Sequence, residues 1–429
     1  MYFLIVFFLQ IYSVNRKWIV LENTEENGWN KFHHLFFRYE TAVSYCGSGW
    51  NSGVLMGFGI LLESESLGGI SSLGTGDFVF GHVAYDRANG RLQSDDGFKH
   101  LHFFTAKIVL RKEDSKWMAG YVHERDLEEF VHKLRQDARV NTDDRLKLTS
   151  PTTREKYLNH CHSLLRHIQR GDIYEINYCV DFAGESEKIN PVNVFHQLKE
   201  LSEAPMSVLY RDGTSWLLCA SPERFISKAG TQLISQPIKG TIRRGTNAEE
   251  DERLKQQLFY DPKERSENVM IVDLVRNDLS RVATKGSVKV SELFGIHTFK
   301  TVHQMISTVE CEVKPETSFS AIIDATFPMG SMTGAPKISA MNLAEKHEDQ
   351  PRGIYSGTVG VILPNGDFDF NVVIRSITWN SATGHVSAKA GGAITANSIP
   401  EKEYEECLLK AKAMMETLHP QRSAAADNP

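Results

Sequence analysis

The chain has few of the features that would classify it quickly. Its six cysteines are scattered over 429 residues, with no CxxC pair. That excludes a cysteine zinc site and a disulfide framework, and it fits a reducing compartment such as the cytoplasm. No excess of positive charge is present: 48 Lys and Arg against 54 Asp and Glu leave a net charge of −6. Nucleic acid is therefore not the expected main partner. No apolar run is long enough to span a bilayer, so no membrane role is expected. Met1–Ile11 is nearly all apolar but lacks a basic n-region and a small-residue cleavage site. It reads as a first buried strand rather than a targeting segment.

What is present is a large soluble α/β composition. Residues 1–145 form a strand-rich region, with apolar runs at Gly53–Leu62 and Phe78–Tyr85 between glycine clusters. Glu124–Asp144 is charged and ends in an exposed linker. Residues 150–419 form the larger region, and 420–429 a frayed tail. Ser150-Pro151 predicts a helix start and Gly171 its stop. The stretch after it alternates as a strand, with Tyr174, Ile176, Tyr178, Val180 and Phe182 on one face and Glu175 and Asn177 on the other.

Several segments carry polar groups in apolar company. Lys239 lies between Pro237-Ile238 and Gly240-Thr241. It is either a lysine beside a turn or, in a dry site, an amine with a lowered pKa that can act as a nucleophile. Glu223 follows the corner Ser221-Pro222 and is either a partner for Arg224 or a held acid. Glu267 shares a helical face with Ile271, Leu274 and Val275, either favouring the helix dipole or meeting a metal ion. Glu403 lies one turn before Cys407 in a last helix starting near Pro400, with Glu406 three residues on. His303 sits in a strand-like segment as a core histidine or a ligand contact. Phe327–Lys337 is a glycine-rich loop offering backbone N–H groups and the hydroxyls of Ser331 and Thr333 to an anion, without the lysine spacing of a P-loop. Tyr355–Leu363 and Phe368–Trp379 predict a hairpin through Asn365-Gly366, with Arg375 beside Val373 and Ile377. Gly391-Gly392 allows a close backbone approach. Together these suit a small polyanionic substrate, with one carboxylate on Mg²⁺ and another on Arg375 and backbone amides.

From Tyr157 to Leu418 the ordered stretches GDIYEIN, SPERF, PIKGTIRRG, ENVMIVDLVRNDLSRV, FPMGSMTGAPK, YSGTVG, NVVIRS and AGGAITANSIPEKEYEE resemble the chorismate-utilising enzyme family. Before Tyr157 the likeness is mainly in GDFVFGHVAYD. The resemblance implies two large, mostly antiparallel sheets packed together with helices outside, the strand-rich start woven into that body. It implies that Glu267 and Glu406 bind Mg²⁺ with Glu403 nearby, and that Tyr355, Arg375, Gly391 and Gly392 hold a substrate carboxylate. Thr241, Ser331 and Thr333 would line the substrate, His303 would lie against its ring, and Glu223 would protonate the leaving 4-hydroxyl. Lys239 resembles the nucleophile of the aminodeoxychorismate synthase component I branch, where anthranilate synthases typically show alanine. Its expected role is attack at C2 of chorismate before ammonia enters at C4. Glu175 stands where water-activating members carry lysine, which counts against water addition, and where amino-transferring members often carry glutamine. Ala393 stands where a second glycine is usual. No Gly-x-Cys-x-Gly turn is present; Cys46 lies in another context. The resemblance therefore implies a separate glutamine amidotransferase subunit, or free ammonia, with no fused lyase after the last helix. Anthranilate synthase component I and a catalytically silent chorismate-binding member are the competing expectations.

Overall fold

A computed structural model describes residues 15–21, 32–47, 53–73, 76–88, 94–113, 116–136, 146–202 and 204–418. The apolar start Met1–Ile11 and the tail 420–429 lie outside them. Among the described residues the first third supplies six strands: β1 (Lys17–Leu21), β2 (Thr41–Gly47), β3 (Gly53–Ser64), β4 (Val79–Val83), β5 (Leu101–Glu113) and β6 (Lys116–Tyr121). Helix α1 (Glu124–Leu134) follows, and residues 137–145, where the exposed linker is expected, lie outside the described residues. Its Phe130 is fully buried, so one apolar face anchors a segment whose composition reads as solvated.

The rest begins with α2 (Arg154–Arg170), β7 (Glu175–Glu185), α3 (Pro191–Ser202), β8 (Met206–Asp212), β9 (Ser215–Ser221), β10 (Arg224–Ala229), β11 (Gln232–Gln236) and β12 (Ile238–Arg243). It continues with α4 (Ala248–Tyr260), α5 (Pro262–Ser280), β13 (Lys289–Thr298), β14 (Val302–Glu312), α6 (Phe319–Thr326), β15 (Gly334–Ala335) and α7 (Lys337–His347). Last come β16 (Thr358–Ile362), β17 (Phe368–Asn371), β18 (Ser376–Asn380), β19 (His385–Thr395) and α8 (Pro400–Thr417).

Helix α2 is capped by the Thr153 side chain, which accepts from Lys156 N, and stops at Gly171 with φ 81°. The cap lies two residues beyond the predicted Ser150-Pro151 start. Tyr174 precedes the strand it was assigned to and is 63% exposed, while Ile176, Tyr178, Val180 and Phe182 are buried as the alternation requires.

Among the described residues all strand pairs are antiparallel, and their ladders join into one continuous sheet of 19 strands. That sheet doubles into layers. Val43, Phe80, Phe104, Val208, Leu217 and Val359 from β2, β4, β5, β8, β9 and β16 share one aromatic-rich core. The opposite faces are covered by helices. Tyr157, Cys161, Cys407 and Ala411 of α2 and α8 pack on one side, and Ile271, Val275, Ile322 and Ile323 of α5 and α6 on another. Alternate residues of one strand thus feed different cores: Leu217 and Cys219 face the inner one, Trp216 and Leu218 the outer. Strands β2 and β8, and β4 and β16, pair across the sequence division near residue 145. No described helix is long and apolar enough to cross a membrane.

Candidate active site

A cavity of about 540 Å³ opens where β12, β14, β19, α5 and the start of α8 meet. Three local devices build it. The first is a bulge in β12. Ile238 pairs with Ile306 but Thr241 with Gln304, so one extra residue sits at Lys239-Gly240. Gly240 takes φ 89° there, and a Cβ would meet Glu264 and Leu258 at 3.0 Å. The bulge brings Lys239, Gly240 and Thr241 to the cavity wall.

The second device is α5. Asp261 caps it by accepting from Lys263 N at 2.9 Å and Glu264 N at 3.0 Å, and Pro262 opens it. The cap sets the phase that buries Ile271 and Val275 and carries Glu267 and Lys263 to the cavity. The third is an interruption in the predicted hairpin. Strand β17 ends at Asn371 and β18 begins at Ser376, and Arg375 occupies the break with φ 51°. A guanidinium expected to stand on a strand face is thereby turned into the cavity beside Tyr355. It forms no ion pair among the described residues.

Gly391 and Gly392 reach the same cavity from β19. A Cβ on Gly391 would meet the Tyr178 carbonyl oxygen at 2.5 Å, so only glycine permits this pairing with β7. Ala393 lines the cavity opposite its pairing partner Asn177. Asn177 Nδ2 donates to Ser331 O at 3.0 Å, tying β7 to the glycine-rich loop.

The acid–base groups are sharply differentiated. Lys239 Nζ lies 2.8 Å from Glu175 Oε1, with the two side chains 11% and 1% exposed. Burial by itself would lower the pKa of this ammonium, but Glu175, Glu267 and Glu223 outweigh it and push the pKa up. The expected free amine is thus a paired ammonium in the resting site. Glu223 is 5% exposed. Burial pushes it up to about 7, opposed by the Ser331 hydroxyl and the Lys239 charge. It does not pair with Arg224, whose guanidinium goes to Asp369 at 2.8 Å. Glu267 is also pushed up to about 7, by burial first and the neighbouring Glu175 and Glu264 carboxylates.

Glu267, Glu403 and Glu406 all line the cavity. Among the described residues no three His, Cys, Asp or Glu side chains stand close enough to form a closed metal cage. Lys263 instead lies 3.2 Å from Glu403 and 3.9 Å from Glu267, and Lys410 lies 2.7 Å from Glu406. Glu267 Oε1 is buried without a hydrogen-bond partner. An all-oxygen donor set with an orphaned buried oxygen suits a hard cation that takes few carboxylates and keeps waters.

Two predicted residues do not reach the cavity. His303 is fully buried and faces away, its ring nitrogens on Asp251 at 2.9 Å and Thr298 at 3.0 Å. Strand alternation places Val302 and Gln304 on the cavity side instead. Thr333 spends its hydroxyl on the carbonyls of Met329 and Gly330, closing the loop, while Ser331 does line the cavity.

Sequence reading missed Arg352. The residue is 1% exposed, and its guanidinium binds Glu348, the carbonyl oxygens of Met332 and Asn177, and the Ser356 hydroxyl. It also lies 4.3 Å over the Tyr85 ring. It clamps β7 to the glycine-rich loop beneath the cavity. Glu348 and Ser356 lie four residues to either side, but Met332, Asn177 and Tyr85 come from distant segments, so the local sequence shows only part of the clamp.

The profile of the chorismate binding enzyme family matches residues 60–416. The aminodeoxychorismate synthase component 1 of Bacillus subtilis is 33% identical over 362 residues, covering 79% of this chain and 76% of that protein. A probable chloroplastic aminodeoxychorismate synthase of rice is 41% identical over 264 residues, covering 61% of this chain. The chain spans only 29% of that rice relative's length. The crystal structure of anthranilate synthase component I from Streptococcus pneumoniae superposes with a TM-score of 0.70 at 26% identity, covering 80% of this chain and 81% of that one.

Proposed function

The chain belongs to the chorismate binding enzyme family, and from that premise we propose that it converts chorismate and ammonia to 4-amino-4-deoxychorismate, the precursor of 4-aminobenzoate and folate. The observation that carries this reading is Lys239. It is delivered by a bulge into a cavity that also holds Glu223, whose raised pKa suits a proton donor near neutral pH.

Arg375, Tyr355 and the backbone at Gly391 bind one substrate carboxylate, the guanidinium having no competing ion pair among the described residues. Glu267 and Glu406, with Glu403 beside them, would hold Mg²⁺, which supplies positive charge for the other carboxylate. Gln304 and Thr241 line the wall beside the nucleophile. Lys239 attacks C2 while Glu223 gives its proton to the departing 4-hydroxyl. Ammonia then enters at C4 and expels the lysine. A glutamine amidotransferase partner supplies the ammonia, in the cytoplasm.

The deciding experiment incubates the purified chain with chorismate, MgCl₂ and ammonium and identifies the product by mass spectrometry. 4-Amino-4-deoxychorismate is expected. Fluorescent anthranilate with pyruvate would replace this reading with anthranilate synthesis, the activity named for the pneumococcal neighbour. No turnover at all would favour a silent chorismate binder.

A further inference from the structure

Resting on that reading, we infer that Glu175 is the base that activates Lys239, receiving the ammonium proton before the amine attacks. Lys239 must lose a proton to become a nucleophile, and among the described residues its only hydrogen-bonded acceptor is Glu175 Oε1, at 2.8 Å. The other carboxylates that act on Lys239, Glu223 and Glu267, are not within ion-pair distance of it. Glu264 and Glu406, which feel its charge in turn, form no ion pair with it either among the described residues. Glu175 is held for this task. It is 1% exposed, and its backbone pairs with Thr395 of β19 and Ala335 of β15. Gly334, at φ 146°, lets β15 approach so closely that a Cβ would lie 2.2 Å from the Glu175 carbonyl oxygen. Its second oxygen, Oε2, is buried with no hydrogen-bond partner, an acceptor position left open. Lys239 lines the cavity and Glu175 does not, so the carboxylate meets the nucleophile without being part of the cavity wall.

The step balances. The Nζ–H bond breaks and its proton passes to Glu175. The freed electron pair forms the Nζ–C2 bond, the ring double bonds shift, and the C4–O bond breaks. The hydroxyl leaves as water with the proton of Glu223. In the second half ammonia forms the C4–N bond, its extra proton goes to Glu223, and the C2–Nζ bond breaks. Lysine departs as an amine and recovers the proton held by Glu175. Ammonia enters and water leaves, with no oxidant or reductant.

The test follows the covalent lysine–substrate adduct by rapid-quench intact-protein mass spectrometry, with chorismate and Mg²⁺ but no ammonia. For Glu175→Gln, adduct formation at pH 7 should fall roughly 10²–10⁴-fold, the range for loss of a positioned base, and recover as pH rises. Formate should restore rate to Glu175→Ala and not to Glu175→Gln. Glu175→Asp keeps the charge and guards against a folding artefact: it should retain native near-ultraviolet circular dichroism and react at an intermediate rate. Adduct formation by Glu175→Gln at the wild-type rate and with the wild-type pH dependence would overturn the inference alone. A wild-type enzyme that forms no adduct yet makes 4-amino-4-deoxychorismate would remove the covalent step and the inference together. Anthranilate as the wild-type product would remove the functional reading beneath both.

Discussion

At the scale of single residues, burial decides which carboxyl carries a proton. Glu223 has lost its solvent, and the hydroxyl and ammonium near it only partly compensate, so its pKa rises from 4.5 to about 7. The protonated form is the proton donor, so activity should fall as pH increases through about 7. A pH profile of kcat should show that limb, and Glu223→Gln should abolish it while lowering kcat roughly 10²–10⁴-fold. The sign for stability is the same. The folded state binds more protons than the unfolded one between 4.5 and about 7, so this group's contribution declines as pH rises across that window. Arg352 is the opposite case, a buried charge whose Nε, Nη1 and Nη2 all donate hydrogen bonds. Arg352→Ala leaves Glu348 buried and unpaired and should cost about 3–5 kcal/mol in urea unfolding. Lys239 was legible in the sequence as a lysine in the wrong company. Its protonation was not, because Glu175 lies 64 residues away and the pairing exists only once β7 and β12 face the same cavity.

At the scale of elements, periodicity was a good guide to which strand or helix forms and a poorer one to which side chain faces the site. In β14 the alternation is obeyed, but the pattern alone does not say which face is the cavity. The histidine drew the assignment, whereas the geometry gives the cavity to Gln304. Gln304→Ala should therefore raise the KM for chorismate at unchanged melting temperature. His303→Phe, which removes the Asp251 and Thr298 contacts, should lower the melting temperature and leave KM within a few fold. Steady-state kinetics and calorimetry on both variants separate the outcomes. In α5 the i, i+4 spacing that brings Glu267 inward also places Lys263 over it, an arrangement implicit in the sequence though not drawn from it. Lys263 then bridges to Glu403 from another helix. A tethered ammonium among those carboxylates competes with a divalent cation. Lys263→Gln should bind Mg²⁺ more tightly by calorimetric titration, and an unchanged or weaker affinity would refute that competition.

At the scale of the whole molecule, the N-terminal strands are load-sharing parts of one sheet. Removing residues 1–145 would strip β2 from β8 and β4 from β16 and expose Val208, Tyr210, Leu217 and Val359 of the inner core. Such a truncation should be insoluble or should lose its near-ultraviolet circular dichroism, whereas an independent catalytic domain would keep both. The sequence by itself determined most element types, the glycine stop of α2 at Gly171, the glycines that allow backbone approach, and the family whose motifs run in order from Tyr157. Those follow from local chemistry: side-chain period, dihedral freedom and short-range hydrogen bonds. Only the tertiary structure decided that Glu175 holds Lys239 as an ammonium, that Lys263 reaches Glu403 of another helix, and that Gln304 rather than His303 meets the cavity. Each of these depends on the distance between segments far apart in the chain. Charge interactions and desolvation act through that distance, and no local pattern encodes it.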